Sequence, residues 1–149
     1  SIPPLPGTYL FTFDDGGYAN LPYLGWSSDG DAGTRQWSWG SGDTLTDYTG
    51  PNGDHTSGEG YYFYTETSYP AQHYDTFRLG FDGTLPDGSH CACVTFWYHM
   101  LGSNIGSLSL VKPDGTVEWS RAGAQGSRWL QSRAVCPNGA FAFLGVMAD

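Results

Sequence analysis

Three aspartates stand where the chain could gather oxygen ligands. Asp14 and Asp15 end an aromatic run, and Asp54 lies in the tight loop Gly50-Pro51-Asn52-Gly53-Asp54. A hard cation requires several carboxylate and carbonyl oxygens together. The competing reading is structural: Asp14-Asp15 bounds a strand, and Asp54 folds back on Thr56 as an Asx turn. Catalytic chemistry finds little to use. His55, His73, His90 and His99 are scattered, and the chain has no Gly-x-Ser-x-Gly elbow, no His-Glu-x-x-His and no phosphate loop. Paired carboxylates could serve a glycosidase, but most of them here sit in Asp-Gly turns, where the side chain caps its own backbone. The chain is therefore read as a non-enzyme. His55 and His99 are read as packing residues, since an imidazole nitrogen suits calcium poorly.

Cys91, Cys93 and Cys136 are the three thiols. Cys91 and Cys93 are two apart, so on a strand they share a face, and no second pair exists to complete a zinc site. The expectation is one cross-strand disulfide joining Cys136 to Cys93 or to Cys91, with the third thiol spare.

These residues need a scaffold, and the composition points to one built of strands. The chain has 149 residues, which suits one domain. Six Lys+Arg against fifteen Asp+Glu give a net charge of −9, and Lys112 is the single lysine. A nucleic-acid surface needs clustered cations, so that partner class is excluded. No apolar run approaches the roughly 20 residues of a membrane helix, so no membrane insertion is expected. Aromatics at 16% supply a core, and 22 glycines with 9 prolines supply turns.

No long window has helical apolar spacing free of glycine, whereas short strand signals recur. Strands are expected at Tyr9–Phe13, Tyr61–Thr65, Val94–Met100, Ser107–Val111, Thr116–Ser120 and Ala140–Val146. Along Val94–Met100 the residues Val94, Phe96, Tyr98 and Met100 share one face, and Thr95, Trp97 and His99 the other. Lys112-Pro113-Asp114-Gly115 predicts a hairpin, because Pro presets φ and Asp-Gly makes the tight turn. Residues 1–8 read as a linker or processed terminus and 9–149 as one all-β domain, a sandwich or barrel.

The run Cys93-Val94-Thr95-Phe96-Trp97-Tyr98-His99-Met100-Leu101-Gly102 resembles the Cys-x-x-Phe-Trp-Tyr-His-Met-x-Gly signature of MAM domains. Phe13-Asp14-Asp15-Gly16, Leu24-Gly25-Trp26, Trp37, Gly50-Pro51-x-x-Asp54-His55-Thr56 with Gly60-Tyr61-Tyr62, Gly123-x-Gln125-Gly126-x-x-Trp129 and Phe143-Leu144-Gly145-Val146 resemble further family blocks in the same order. Leu24 stands where the family usually has Cys, and the chain stops at Ala148-Asp149, where its closing strand begins. A sheet lacking that strand would expose an edge that invites pairing with another chain.

The resemblance implies a jelly-roll β-sandwich of two antiparallel sheets. It implies an extracellular, secreted or cell-surface adhesion or oligomerisation module, whose partners are other proteins or a second copy met through strand edges and loops. It also suggests a structural calcium on Asp14, Asp15 and Asp54. By the same resemblance Trp26, Trp37 and Trp97 belong to the core. Trp39 and Trp119 lack so clear a counterpart and are the contact candidates, with Arg121 as the polar partner. Such residues would suit the alternative of a glycan-binding module, in which rings stack on sugars. A further alternative is a subunit of an extracellular polymer. Arg121, Arg128 and Arg133 could form a small positive patch for one anion.

Overall fold

Turn chemistry and strand alternation govern the computed structural model, which describes residues 9–28, 34–44, 49–65, 75–102, 105–135 and 139–146. One 3-10 turn, Gly16–Ala19, precedes ten strands: β1 (Trp26–Ser27), β2 (Thr34–Arg35), β3 (Ser38–Ser41), β4 (Tyr61–Tyr64), β5 (Thr76–Phe81), β6 (Cys93–Tyr98), β7 (Ser107–Val111), β8 (Val117–Ala122), β9 (Leu130–Val135) and β10 (Phe141–Val146). The large sheet runs β1-β5-β10-β7-β8, with β2 lying parallel on β5. All its other pairings are antiparallel. Two further ladders, β3-β4 and β6-β9, complete the β-sandwich.

The hairpin at 112–115 forms as its residues dictate. Gly115 takes φ 90°, its N–H donates to Lys112 O, and Lys112 N–H donates to Thr116 O, both at 2.9 Å. Asp114 Oδ1 accepts from Thr116 N at 2.9 Å, which closes the turn.

The core lies between the layers. Leu110 on β7 is fully buried, with Trp119 opposite it on β8. From the facing ladder, Phe96 meets Trp119 and Phe143 edge-on, each at 4.9 Å, and Tyr98 meets Trp119 at 4.8 Å. Around Trp26 gather Phe13, Phe81 and Phe141 at 5.1, 5.0 and 5.9 Å. Such tilted and edge-on pairs add about 0.5–1.5 kcal/mol each beyond area burial.

Two expectations change. Tyr9–Phe13 is not a strand: Phe13 takes φ 63°, outside the pleated range, and Phe11 and Phe13 serve as packing rings on Trp26. Conversely β5, central to the large sheet, was not anticipated. Its Phe77, Leu79 and Phe81 alternate inward, with Gly80 buried between them. The anticipated linker at residues 1–8 and the segment beyond Val146 lie outside the described residues.

At the end of β5 two glycines pinch the chain. Gly83 and Gly139 both have φ near +90°, and a Cβ on Gly83 would sit 2.2 Å from the carbonyl carbon of Gly139. Gly139 leads directly into β10, whose Phe141 pairs with Phe81.

Candidate functional site

Strand alternation on β6 creates one unusual surface. Val94 and Phe96 turn inward and Tyr98 is buried, so Cys93, Thr95 and Trp97 face out. Opposite them on β9, Arg133 pairs with Thr95 and Gln131 with Trp97, and both are exposed. Directly opposed residues share a face. Trp97 is 43% exposed, which corrects its expected place in the core.

The 50–60 loop holds Trp97 in position. His55 stacks on its ring, with centroids 3.7 Å apart and planes 17° apart. Trp129, from the segment before β9, donates Nε1–H to Gly53 O at 3.1 Å and so ties the loop to the sheet. Gly53 must be glycine, because a Cβ there would lie 2.2 Å from Gly58 O. Asp54 organises the loop from inside. Its Oδ1 accepts from Gly60 N (2.9 Å) and Ser57 Oγ (3.0 Å), and its Oδ2 accepts from Thr56 N (3.2 Å). Burial pushes its carboxyl up, but the bonds from Gly60, Ser57 and Thr56 together outweigh this and hold it below the usual carboxylate range. His99 lies edge-on to Trp129 at 5.4 Å, and burial pushes its imidazole below the ordinary histidine value.

The three acidic candidates separate. Asp14 Oδ1 accepts from Tyr61 N at 2.8 Å. A Cβ on Gly60 would lie 2.5 Å from Asp14 Oδ1 and 2.8 Å from Asp54 Oδ2, so both carboxylates converge on that glycine. Asp15 turns elsewhere: it caps the 3-10 turn, accepting from Gly17 N at 2.9 Å and from Tyr23 Oη at 2.6 Å. The Gly17 bond first, then the Tyr23 bond, holds its carboxyl low. No cluster of three His, Cys, Asp or Glu suited to a metal occurs among the described residues.

The expected contact set also disperses. Trp119 is 7% exposed and lies within the core, so it cannot present a free face; its cross-strand position against Leu110 puts it inside. Arg121 covers it, with Cζ 4.9 Å from the ring centroid and Nη1 donating to Ser120 O. Arg121 stands on β8 and Arg133 on β9, in different sheets. Trp39 is half-buried, stacks on Tyr61 at 4.0 Å and donates Nε1–H to Phe13 O at 2.7 Å.

Cys93 is a free, exposed thiol, which corrects its expected bond to Cys136; Cys91 is the disulfide-bonded residue. Cys136 lies outside the described residues. The outward alternation of β6 was the signal that could have singled out Trp97 and Cys93 together.

Comparison with known proteins adds a lineage to this geometry. The profile of the family described as "MAM domain, meprin/A5/mu" matches residues 12–142. The chain is 38% identical to neuropilin-1a of Danio rerio over 138 residues, covering 87% of this chain and 14% of that protein. It is 35% identical to MAM domain-containing protein 2 of Mus musculus, covering 88% of the chain and 18% of that protein. A third relative, the MAM domain-containing glycosylphosphatidylinositol anchor protein 1 of Rattus norvegicus, is 39% identical over 62% of the chain and 10% of its own length. The chain thus spans less than a fifth of each.

Proposed function

The chain belongs to the MAM domain family, and from that premise we propose that it is a non-catalytic extracellular protein-interaction module that meets its partner through the outer face of β6-β9. One observation carries the reading: Trp97, 43% exposed, is held flat by His55 on the outer face of β6, one residue before the strand ends at Tyr98. Binding energy concentrates on rigid tryptophans ringed by polar groups, and Thr95, Gln131 and Arg133 form that rim. A net charge of −9 opposes face-to-face pairing of two copies, so a different protein fits better than self-association. An outside location is supported by the relative whose name records a glycosylphosphatidylinositol anchor. Among the described residues, no helix is long and apolar enough to cross a membrane.

The test compares labelled chain with its Trp97→Ala and Arg133→Ala variants for binding to intact cells and matrix of the source tissue, with sedimentation to report self-association. Trp97→Ala should weaken binding by at least about tenfold while its melting point is kept. Equal binding by both variants and the parent chain would overturn the reading.

Calcium belongs to the same reading as a clamp on the loop. The two carboxylate oxygens around Gly60 are no farther apart than the sum of their distances to that common point. A calcium ion with ligands at about 2.3–2.6 Å spans such a gap. Asp14 and Asp54 would hold it, with Asp15 serving the 3-10 turn instead. A melting point raised by calcium, and unmoved by it in Asp54→Asn, supports this assignment; identical melts in calcium and chelator count against it. With Cys93 free, the disulfide is assigned to Cys91 and Cys136. Peptide mapping after alkylation of native protein should find label on Cys93 alone.

A further inference from the structure

Charge is unevenly placed along the chain. Every acidic residue except Asp114, Glu118 and Asp149 lies at or before Asp87, so the sequence has no acidic side chain from Gly88 to Pro113 or from Trp119 to Ala148. Both strands of the β6-β9 ladder fall within these stretches. The one charged residue of the ladder is Arg133, and Arg128 lies just before β9. Both arginines are exposed.

The other cations are occupied. Arg35 pairs with Asp75 at 2.6 Å and Lys112 with Glu118 at 2.8 Å. Arg121 covers Trp119, and Arg78 lies against Gly80 on the large sheet, its Nη1 2.9 Å from where a Cβ on that glycine would stand. Among the described residues, Arg128 and Arg133 form no ion pair. Of the two acids in the 50–60 loop, Asp54 is bonded to Gly60, Ser57 and Thr56, and Glu59 is exposed and pairs with neither arginine. Strand register sets the free guanidinium beside the exposed indole. Thr95 stands opposite Arg133 and Trp97 opposite Gln131, which makes Arg133 and Trp97 diagonal neighbours on one face, about 7–8 Å apart along the backbone.

From this placement we infer that the partner held by the β6-β9 face is an extended acidic segment of another protein, which sets a carboxylate on Arg133 and an apolar side chain on Trp97. The inference rests on the reading of this face as the interaction surface and names what that surface selects. A guanidinium receives a carboxylate through two parallel N–H bonds, and the side chains of Thr95 and Gln131 beside it both donate and accept. In an extended chain, side chains on one side recur every second residue, about 6.6–6.8 Å apart, which matches the diagonal from Arg133 to Trp97. A long polyanion such as nucleic acid, sulfated glycan or an anionic membrane would bring many charges against a chain of net charge −9 and meet only these arginines. A short acidic segment meets Arg133 in direct contact, while charges farther off are screened beyond about 8 Å at physiological salt. A basic segment would place its own cation against Arg133, a like-charge contact that disfavours it.

The experiment displays biotinylated octapeptides on streptavidin, so that several copies engage together. Each carries a phenylalanine and, two residues before it, a glutamate, a glutamine or a lysine. The parent chain is compared with Arg133→Gln, Arg133→Glu and Trp97→Ala, and melting points establish that these exposed substitutions leave the fold intact. The parent should bind the glutamate peptides about tenfold or more tighter than the lysine peptides, with glutamine between them. Arg133→Gln should lose this preference, and Arg133→Glu should reverse it. Heparin and phosphatidylserine vesicles serve as polyanion probes. The inference is overturned if no glutamate peptide binds, if the three peptide classes bind alike, if Arg133→Glu keeps the glutamate preference, or if heparin or the vesicles bind the parent more tightly than the glutamate peptides do. Its failure is separable from that of the interaction reading. Cell binding lost in Trp97→Ala without any charge preference overturns the acidic partner and leaves the face in place. Trp97→Ala and Arg133→Ala chains that bind cells as the parent does overturn both.

Discussion

Replacing Gly53 by alanine tests how the loop, the ring stack and the sheet depend on one another. The new Cβ would meet Gly58 O at 2.2 Å and Gly58 C at 2.9 Å, both closer than real Cβ contacts come. The obstacle is backbone, not the tip of a flexible side chain, so the loop must open. Overpacking costs about 1–3 kcal/mol. Opening also weakens the Trp129 Nε1–Gly53 O bond, worth about 0.5–1.5 kcal/mol, and strains the charged bonds around Asp54. Because the loop is largely exposed it relaxes in part, and the net cost comes to about 2–4 kcal/mol. For a chain of this length that is a fall in Tm on the order of 5–15 °C. The same opening should lift His55 from Trp97. Calorimetry gives the first number; the second effect is read from acrylamide quenching of Trp97 and from the His55 ring resonances, which should lose the shift imposed by the indole. A Gly53→Ala protein that melts within about 1 °C of the parent, with His55 still shifted, would refute the claim that this glycine sets the site.

Two further predictions concern buried rings. His99 is depressed by burial, so the unfolded chain takes up the proton first as the medium is acidified. Its contribution to stability is complete above the unfolded value, about 6.5, and is lost as pH falls from there through the folded value; melting points from pH 8 to 5 should fall less steeply in His99→Gln. Trp119→Ala should cost about 3–5 kcal/mol by denaturant unfolding, whereas Arg121→Ala should cost under about 1 kcal/mol, since the arginine only covers the ring from the solvent side.

How far the chain could be read in advance varies with the physics behind each element. The 112–115 hairpin was legible because proline and Asp-Gly act locally and need no partner. The faces of β6 were legible from alternation: Phe96 and Tyr98 do turn in and Thr95 does turn out. That same alternation places Trp97 outside, and only the family likeness had argued for the core. Trp119 shows the opposite case. Its inward aim depends on the pairing of β8 with β7, a register that its own sequence neighbours do not encode. The strand β5 carried a readable period in Phe77, Leu79 and Phe81, masked by Arg78, Gly80 and the adjoining Asp82-Gly83 turn signal. At the acidic residues, sequence grouped Asp14, Asp15 and Asp54 but could not foresee that Tyr23 would claim Asp15 while Asp14 and Asp54 converge on Gly60.

The contact between Gly83 and Gly139 bears on how the large sheet finds its alignment. Segments more than fifty positions apart along the chain meet there with no side chain between them, immediately before Phe141 settles opposite Phe81. Slipping β10 by a single position would turn its aromatic side to solvent, and it would also drive a bulkier neighbour into this backbone-only crossing. The crossing therefore acts as a gauge for strand alignment. Enlarging either glycine cannot be offset by shrinking the other, since neither has anything left to remove, so second-site suppressors of such changes should arise in the surrounding loops and never within the pair.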